Sequence, residues 1–286
     1  MLVDVSEVKS FRACKRAWKF SSRNGYHLRP RITPPYFALG TAFHYGLQLM
    51  YLGTELDKIL ATLQLQYEEH YPLLKAMLTG YHREVYPEDA NRFQVLTTEH
   101  RFSFKPEEFE HVDITITGSI DMIALDLHTN EIFGFEHKTA KTFRKDSQLW
   151  MDEQPRLYHE AMRIYRDAEQ LKNPAFNPTI GGVYINEVKK LVRDFSYQRT
   201  LCTYTDLDMQ GFLNQFYKTA LEVYRYRALG TEAEPCPSYM GCQLCSFNQV
   251  CAKFRYEPVD LDRILGEFEE ELAVRTGDHL DEKEES

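Results

Sequence analysis

Apolar residues recur every three to four positions between residues 39 and 70. Phe43, Leu47 and Met50 open the pattern, and Leu60, Leu63 and Tyr67 continue it, which predicts a long helical stretch. A shorter helix is expected upstream over residues 6–21, with Ser6 as its cap, followed by a loop forced by Pro30, Pro34 and Pro35. The period changes near Phe93. Residues 97–104, 113–120, 122–125 and 132–137 are rich in β-branched and aromatic side chains, with His128, Thr129 and Asn130 as turn material. Residues 147–167 read as a helix, 179–187 as a buried strand and 194–199 as another. Residues 206–229 read as a helix with Phe212, Phe216, Leu221 and Tyr224 on its core face. The chain is therefore expected to be mixed α/β, with a central group of strands flanked by helices.

At 286 residues, 43% of them hydrophobic, the chain has material for one large domain or two small ones. No window has the apolar length of a membrane span, and the N-terminal segment lacks the apolar core of a signal peptide. Six cysteines in a chain of this length are not a disulfide framework, so reduced thiols in a cytoplasmic compartment are expected.

The net charge of −9 is unevenly placed. Residues 1–35 carry eight bases against Asp4 and Glu7, and residues 266–286 carry nine acids against Arg275 and Lys283. A basic head thus precedes a nearly neutral body and an acidic tail that is expected to start as a short helix and then fray. Within the head, Lys15 and Arg16 alternate with Phe11, Trp18, Phe20 and Tyr26. That interleaving suits nucleic acid, because aromatic faces stack on bases beside a charged backbone track. Lys15, Arg16 and Trp18 are the candidate DNA contacts.

Asp121 ends the run Gly118-Ser119-Ile120-Asp121, and Glu136 and Lys138 follow in Glu136-His137-Lys138. Two strands turning near Asn130 would return Glu136 to the side of Asp121. Glu136 and Lys138, two apart on a strand, share a face. Two carboxylates and an ammonium would meet at one point. Carboxylate oxygens are natural ligands for a hard divalent cation, which polarises a phosphate and acidifies a bound water. A lysine beside it can orient or deprotonate the water and offset transition-state charge. An E-x-K pair alone is common on exposed hairpins, so the preceding G-x-I-D at the right distance carries much of the weight.

These residues resemble the core motif of the PD-(D/E)xK nuclease superfamily in its RecB-like branch, with Ile120 where the superfamily usually has proline. Two flanking runs agree. Gly40-Thr41-Ala42-Phe43-His44 resembles the branch's G-x-x-x-H helix, and Gln154 with Tyr158 resembles its Q-x3-Y helix. Pro155 fits that helix only if it begins close by, with Asp152 near its cap. The resemblance implies a restriction-endonuclease-like α/β core. It implies Mg2+ or Mn2+ held by His44, Asp121 and Glu136 with the backbone carbonyl of His137. Lys138 would be the catalytic lysine, and Gln154 and Tyr158 would hold the DNA strand or orient the site. The His137 side chain, on the opposite strand face, reads as structural. Glu99 reads as a solvated edge charge, or else as an extra acid near the metal.

Cys242, Cys245 and Cys251 form C-x2-C-x5-C, and Cys14 stands alone near the start. Thiolates at this spacing hold an iron–sulfur cluster or zinc. If Cys14 is the fourth ligand, the site ties the two ends of the chain together. The order and spacing are similar to the iron–sulfur staple of AddB-type and CRISPR-associated RecB-like nucleases, which implies a [4Fe-4S] cluster with a structural role. Cys202 reads as a packed strand residue and Cys236 as a spare. The expected organisation is one nuclease domain over residues 1–265, closed by the cluster, with a disordered acidic tail over 266–286.

The expected function is metal-dependent DNA exonuclease activity at ends or on single strands. The expected setting is recombination, repair or phage replication, with a recombination or replication protein as candidate partner and no membrane. A DNA-binding or assembly module that retains the fold without full catalysis is the alternative. An iron–sulfur electron-transfer protein would leave the Asp, E-x-K and Q-x3-Y runs unexplained. Oligomeric state and cleavage polarity are open from sequence.

Overall fold

The computed structural model describes residues 1–30, 36–228, 236–243, 245–248, 251 and 268–270. In chain order the elements are β1 (Leu2–Val3), α1 (Val5–Ala13), α2 (Lys15–Ser21), β2 (Leu28–Pro30), α3 (Tyr36–Tyr51), α4 (Leu56–Gln66), α5 (Tyr71–Glu84) and α6 (Tyr86–Arg92). They continue with β3 (Phe93–Phe104), β4 (Thr115–Asp126), β5 (Glu131–Ala140), α7 (Asp146–Trp150), α8 (Gln154–Lys172), β6 (Thr179–Lys189), β7 (Tyr197–Cys202), α9 (Asp206–Ala228), α10 (Tyr239–Gln243) and β8 (Phe268–Glu270). Single-turn 3-10 segments stand at Glu68–His70 and Glu107–Phe109.

The chain forms two compact units. The larger comprises Pro34–Ser103 and Thr117–Asn214. Its sheet runs β4-β5-β6-β7, with β3 also paired to β4. β4 and β5 are antiparallel, β5 and β6 parallel, β6 and β7 antiparallel. The parallel pair needs a crossover, and α8 supplies it. Gly134 on β5 leaves room for this helix: a Cβ there would meet Met162 Sδ at 3.1 Å. The sheet is mixed and flanked by helices, as the hydrophobic pattern predicts. Leu39, Phe43, Leu47 and Met50 of α3 pack with Leu60, Leu63, Leu74, Leu78 and Tyr81 in a helical core that closes on Val188. Phe93, Met122, Phe133, Phe135 and Tyr184 form a second cluster on the sheet.

The smaller unit comprises Met1–Thr33, Phe104–Ile116 and Gln215–Ser286. In it β1 pairs in parallel with Thr115 and Ile116, the first residues of β4. Phe11, Trp18 and Val223 form its core cluster. β2 and β8 pair antiparallel, with Arg29 opposite Glu269.

Several boundaries differ from the sequence expectation for physical reasons. The helix expected over residues 6–21 divides at Cys14, whose backbone is extended, and Asp4 caps its start by accepting the Glu7 N–H at 2.8 Å. The stretch over 39–70 breaks after α3, where Gly53 takes a left-handed φ of 84°. α5 and α6 were not anticipated. Pro72 and Pro87 each sit in the first turn, where the missing N–H costs nothing. Residues 113–120 and 122–125 are one strand, β4. The last strand begins at Tyr197 because Asp194, at φ 58°, turns the chain. Residues 268–270 are a strand rather than a helix, and the remainder of the acidic tail lies outside the described residues.

Candidate active site

The β4–β5 hairpin builds the centre of the site. Its register pairs Met122 with Phe135 through Asp126 with Glu131, so the next position sets Asp121 against Glu136. Backbone pairing stops there, and the Asp121 side chain takes over: its Oδ2 accepts the His137 N–H at 2.7 Å. Gly118, three residues earlier, is required sterically. A Cβ would lie 2.4 Å from the Phe102 ring of β3. At the hairpin's far end Asp126, fully buried, accepts the His128 N–H at 2.8 Å and Arg92 Nε at 2.7 Å, which fixes the turn and with it the register.

His44 arrives from α3, where Phe43 and Leu47 bury one face and leave His44 half-buried beside the sheet. Its Nδ1 lies 3.5 Å from Asp121 Oδ2. Among the described residues, His44, Glu99 and Asp121 are the three whose ligand atoms lie within 4.8 Å of one another. Glu99 is exposed, and its place in this group suits the second of its two sequence readings, an extra acid near the metal. Glu99 has a left-handed φ of 48° within β3, and a non-glycine residue held this way inside a strand marks an imposed constraint. A linear sequence carries no signal for that kink.

Glu136 is almost completely buried (3% exposed). Its Oε1 accepts Lys138 Nζ and, at 3.1 Å, Gln154 Nε2, whereas its buried Oε2 has no partner. Gln154 also donates to the Tyr158 hydroxyl at 2.6 Å and accepts from Lys138 Nζ at 3.3 Å. Pro155 is accommodated as expected: α8 starts at Gln154, whose N–H donates to Asp152 Oδ1 at 3.1 Å. Asp152 in turn receives Arg144 Nη1 at 2.9 Å, and Arg144 Nε donates to the buried Glu187 at 2.8 Å. The start of α8 is thereby tied to β6, whose Glu187 is registered against Lys138.

The charges are strongly perturbed. Burial works against the charged His44 imidazole, but the hydrogen bond and charge of Asp121 outweigh it and leave its pKa raised. Burial alone would raise Asp121; the His44 contacts and the His137 N–H overcome that and hold its carboxyl below the usual range. Burial and the adjacent Asp121 charge push Glu136 up to about 7. For Lys138, burial is outweighed by Glu136, and the ammonium form is favoured. Two carboxylates this close do not both ionise readily without a cation between them.

The donor types fit a hard divalent cation. The His44–Glu99–Asp121 group offers two carboxylates and an imidazole, and beside Asp121 the Glu136 Oε2 is a buried acceptor with nothing to accept. The His137 side chain packs away from solvent behind the strand. It is buried, and burial lowers its pKa to about 4, so the ring is neutral. Its Nδ1 lies 3.3 Å from Asn186 Nδ2. Asn186 bonds Tyr81 at 3.1 Å and accepts Arg199 Nε at 2.7 Å. Arg199 makes two bonds to the buried Asp89, at 2.6 and 2.7 Å, and the Tyr51 hydroxyl donates to Asp89 at 2.6 Å. This buried network behind the site joins six elements, α3, α5, α6, β5, β6 and β7, and spacing alone could not have disclosed it.

One further expectation is corrected. Trp18 is fully buried, edge-on to Phe11, with Nε1 donating to Glu7 at 2.6 Å, so it offers no face to a base. Phe11 and Phe20 are buried as well. Tyr158 is buried and its hydroxyl accepts the Gln154 amide, which suits the second of its expected roles, orienting the site. Lys15 and Arg16 face inward partners: Lys15 Nζ bonds Tyr226 at 3.0 Å, and Arg16 Nη1 lies 3.9 Å from Cys251 Sγ.

All six cysteines are free thiols: Cys14, Cys236, Cys242, Cys245 and Cys251 belong to the smaller unit, and Cys202 is buried in the larger. Cys14, on the extended link between α1 and α2, accepts the Cys236 N–H at 3.4 Å. Burial, then the Cys14, Cys242 and Cys251 sulfurs, raise the Cys245 pKa, so these four thiols are electrostatic neighbours.

The family model of the PD-(D/E)XK nuclease superfamily matches residues 3–252. The chain belongs to this superfamily. Nucleases of the superfamily use divalent metals, and the His44–Glu99–Asp121 group is where this nuclease could hold one. No curated protein matches the chain. Among solved structures it is similar to one from Eubacterium rectale named "Putative exonuclease", at 12% identity and a TM-score of 0.48, covering 86% of each chain. Another, SSO0001, shares 12% identity at a TM-score of 0.32, covering 74% of this chain and 83% of its own. Among the described residues of this nuclease, no helix is long and apolar enough to cross a membrane.

Proposed function

We propose that this nuclease is a Mg2+- or Mn2+-dependent exonuclease that hydrolyses DNA from ends or along single strands. The observation that carries the reading is the convergence of Asp121, Glu136 and Lys138, with one oxygen of Glu136 buried and unpartnered. His44, Asp121 and Glu136, with the carbonyl of His137, would hold the cation, and Glu99 would add a further carboxylate. When bound, the cation supplies Lewis acidity toward the phosphate and acidifies a water.

The chain's own residues do the rest. Glu136 and Gln154 hold the Lys138 ammonium in place, so its charge is fixed before a phosphate arrives and can offset the developing negative charge. Gln154 bridges Glu136, Lys138 and Tyr158, which keeps the carboxylate and the ammonium in a constant relation. Tyr158 anchors Gln154 from the buried side.

Cys14, Cys242, Cys245 and Cys251 would hold a [4Fe-4S] cluster that joins the chain's ends within a single nuclease domain over residues 1–265. The N–H donated to Cys14 and the guanidinium near Cys251 suit thiolate ligands. Recombination, repair or phage replication is the proposed setting, in a reducing cytoplasm. Digestion of linear, circular and single-stranded DNA with and without EDTA tests the reading. Binding without EDTA-sensitive cleavage would favour a non-catalytic DNA-binding module.

A further inference from the structure

The site opens into a cleft of about 650 Å3, in the range that encloses one small ligand. One wall is α3. Thr41, Tyr45 and Gln48 recur on it at helical spacing, so they line one face beside His44. The other wall is the end of the sheet, with Lys138 and Lys190. Tyr45 is 36% exposed there. Lys190 follows β6 directly, its N–H donating to the Ala140 carbonyl at 2.9 Å, three residues beyond Glu187, the register partner of Lys138. At the rise of a strand that separates the two lysines by about 10 Å along the sheet. Lys141 lies near enough to Lys190 to lower its pKa, after burial, so this rim concentrates positive charge. The cleft thus has an acidic, metal-suited end and a cationic rim, with an aromatic ring on the facing wall.

We propose that this cleft is a track for a single DNA strand, in which the Tyr45 ring stacks on a base and Lys190 holds a phosphate beyond the scissile one. The inference rests on the nuclease reading and narrows its substrate. In a duplex the base faces are stacked on each other and cannot meet Tyr45. An unpaired strand offers both groups at once: a flat base for the ring and a charged backbone for the lysines.

The test is fluorescence anisotropy with a labelled single-stranded oligonucleotide and a labelled blunt duplex. Ca2+ replaces Mg2+, and gels confirm intact DNA. Tyr45→Ala is expected to weaken single-strand binding about 5- to 100-fold with little change for duplex, and Tyr45→Phe and Tyr45→Trp to bind like wild type. Lys190→Ala is expected to lower the slope of log affinity against log salt by about 0.7 on the single strand. Wild-type affinity in Tyr45→Ala would overturn the proposal, as would equal losses on both substrates, failure of Tyr45→Phe to retain binding, or an unchanged salt slope. Wild-type protein that neither binds nor cuts DNA removes the nuclease reading itself. Wild type that does both, with an unaffected Tyr45→Ala, removes only this inference.

Discussion

The peptide N–H of His137 donates to Oδ2 of Asp121 at 2.7 Å, at the position where the β4–β5 backbone ladder ends. One carboxylate therefore holds the strand that carries Glu136 and Lys138 and faces His44 at the same time. Asp121→Ala should cut metal-dependent nuclease activity about 1,000-fold or more, the scale of losing several kcal/mol of charge stabilisation. Circular dichroism and a thermal melt alongside the assay would show whether the loss is chemical. Residual activity within tenfold of wild type would remove Asp121 from the site.

Lys138 should matter through its charge. Lys138→Ala is expected to lower kcat about 100- to 1,000-fold with little change in metal affinity, because the ligand oxygens remain. A steady-state assay together with a Mn2+ titration separates the two. A variant that loses metal affinity but keeps kcat at saturating metal would assign Lys138 to the cation site instead.

The buried network behind His137 has a separable consequence. Burying the Asp89–Arg199 pair is costly, and such pairs fix geometry more often than they add stability. Asn186→Ala breaks the link between Arg199 and His137, leaving partners unsatisfied at a cost of about 1–3 kcal/mol. It should also weaken Mn2+ binding about 10- to 100-fold by calorimetric titration, as loss of supporting contacts does at other metal sites. Reduced stability with unchanged Mn2+ affinity would make the network purely structural.

Asp126 gives a pH prediction. Burial raises its pKa, but the His128 N–H, Arg92 and the Thr129 N–H outweigh this and depress it. A carboxylate depressed on folding contributes stability above its unfolded pKa of about 3.9, and that contribution fades as pH falls through the folded value. Asp126→Ala should therefore destabilise by about 1–3 kcal/mol at pH 7, and the difference from wild type should shrink below about pH 4. Urea unfolding at both pH values measures it. A difference independent of pH would mean the ionised form contributes nothing.

The cysteines have their own test. With the proposed cluster in place, purified protein should be brown, and Cys14→Ala should lose that colour and most of its solubility. A soluble, active and fully coloured variant would remove Cys14 from the clasp.

Much of this site was legible because it lies on short, regular runs. The hairpin turn returns Glu136 to Asp121, strand alternation puts Lys138 beside Glu136, and helical spacing aligns Gln154 with Tyr158. Each follows from a local period. Glu99 could not be decided between an edge charge and an extra acid because its place depends on a left-handed residue inside β3, which no composition announces. The Asp89–Arg199–Asn186 network escaped because its members come from separate elements and only tertiary packing joins them. Trp18 was misread for a related reason. Aromatics among lysines suggest a stacking surface, but Glu7 supplies a buried acceptor for the indole and draws it inward.

The most direct test of the central claim is a time course of Mn2+-dependent digestion on end-labelled linear DNA, a labelled single strand and a closed single-stranded circle, run with wild type and Glu136→Gln. Processive release of short products from linear substrates, an intact circle, abolition by EDTA and an inert Glu136→Gln are expected. Undiminished cleavage by Glu136→Gln, or cleavage indifferent to EDTA, would contradict the account.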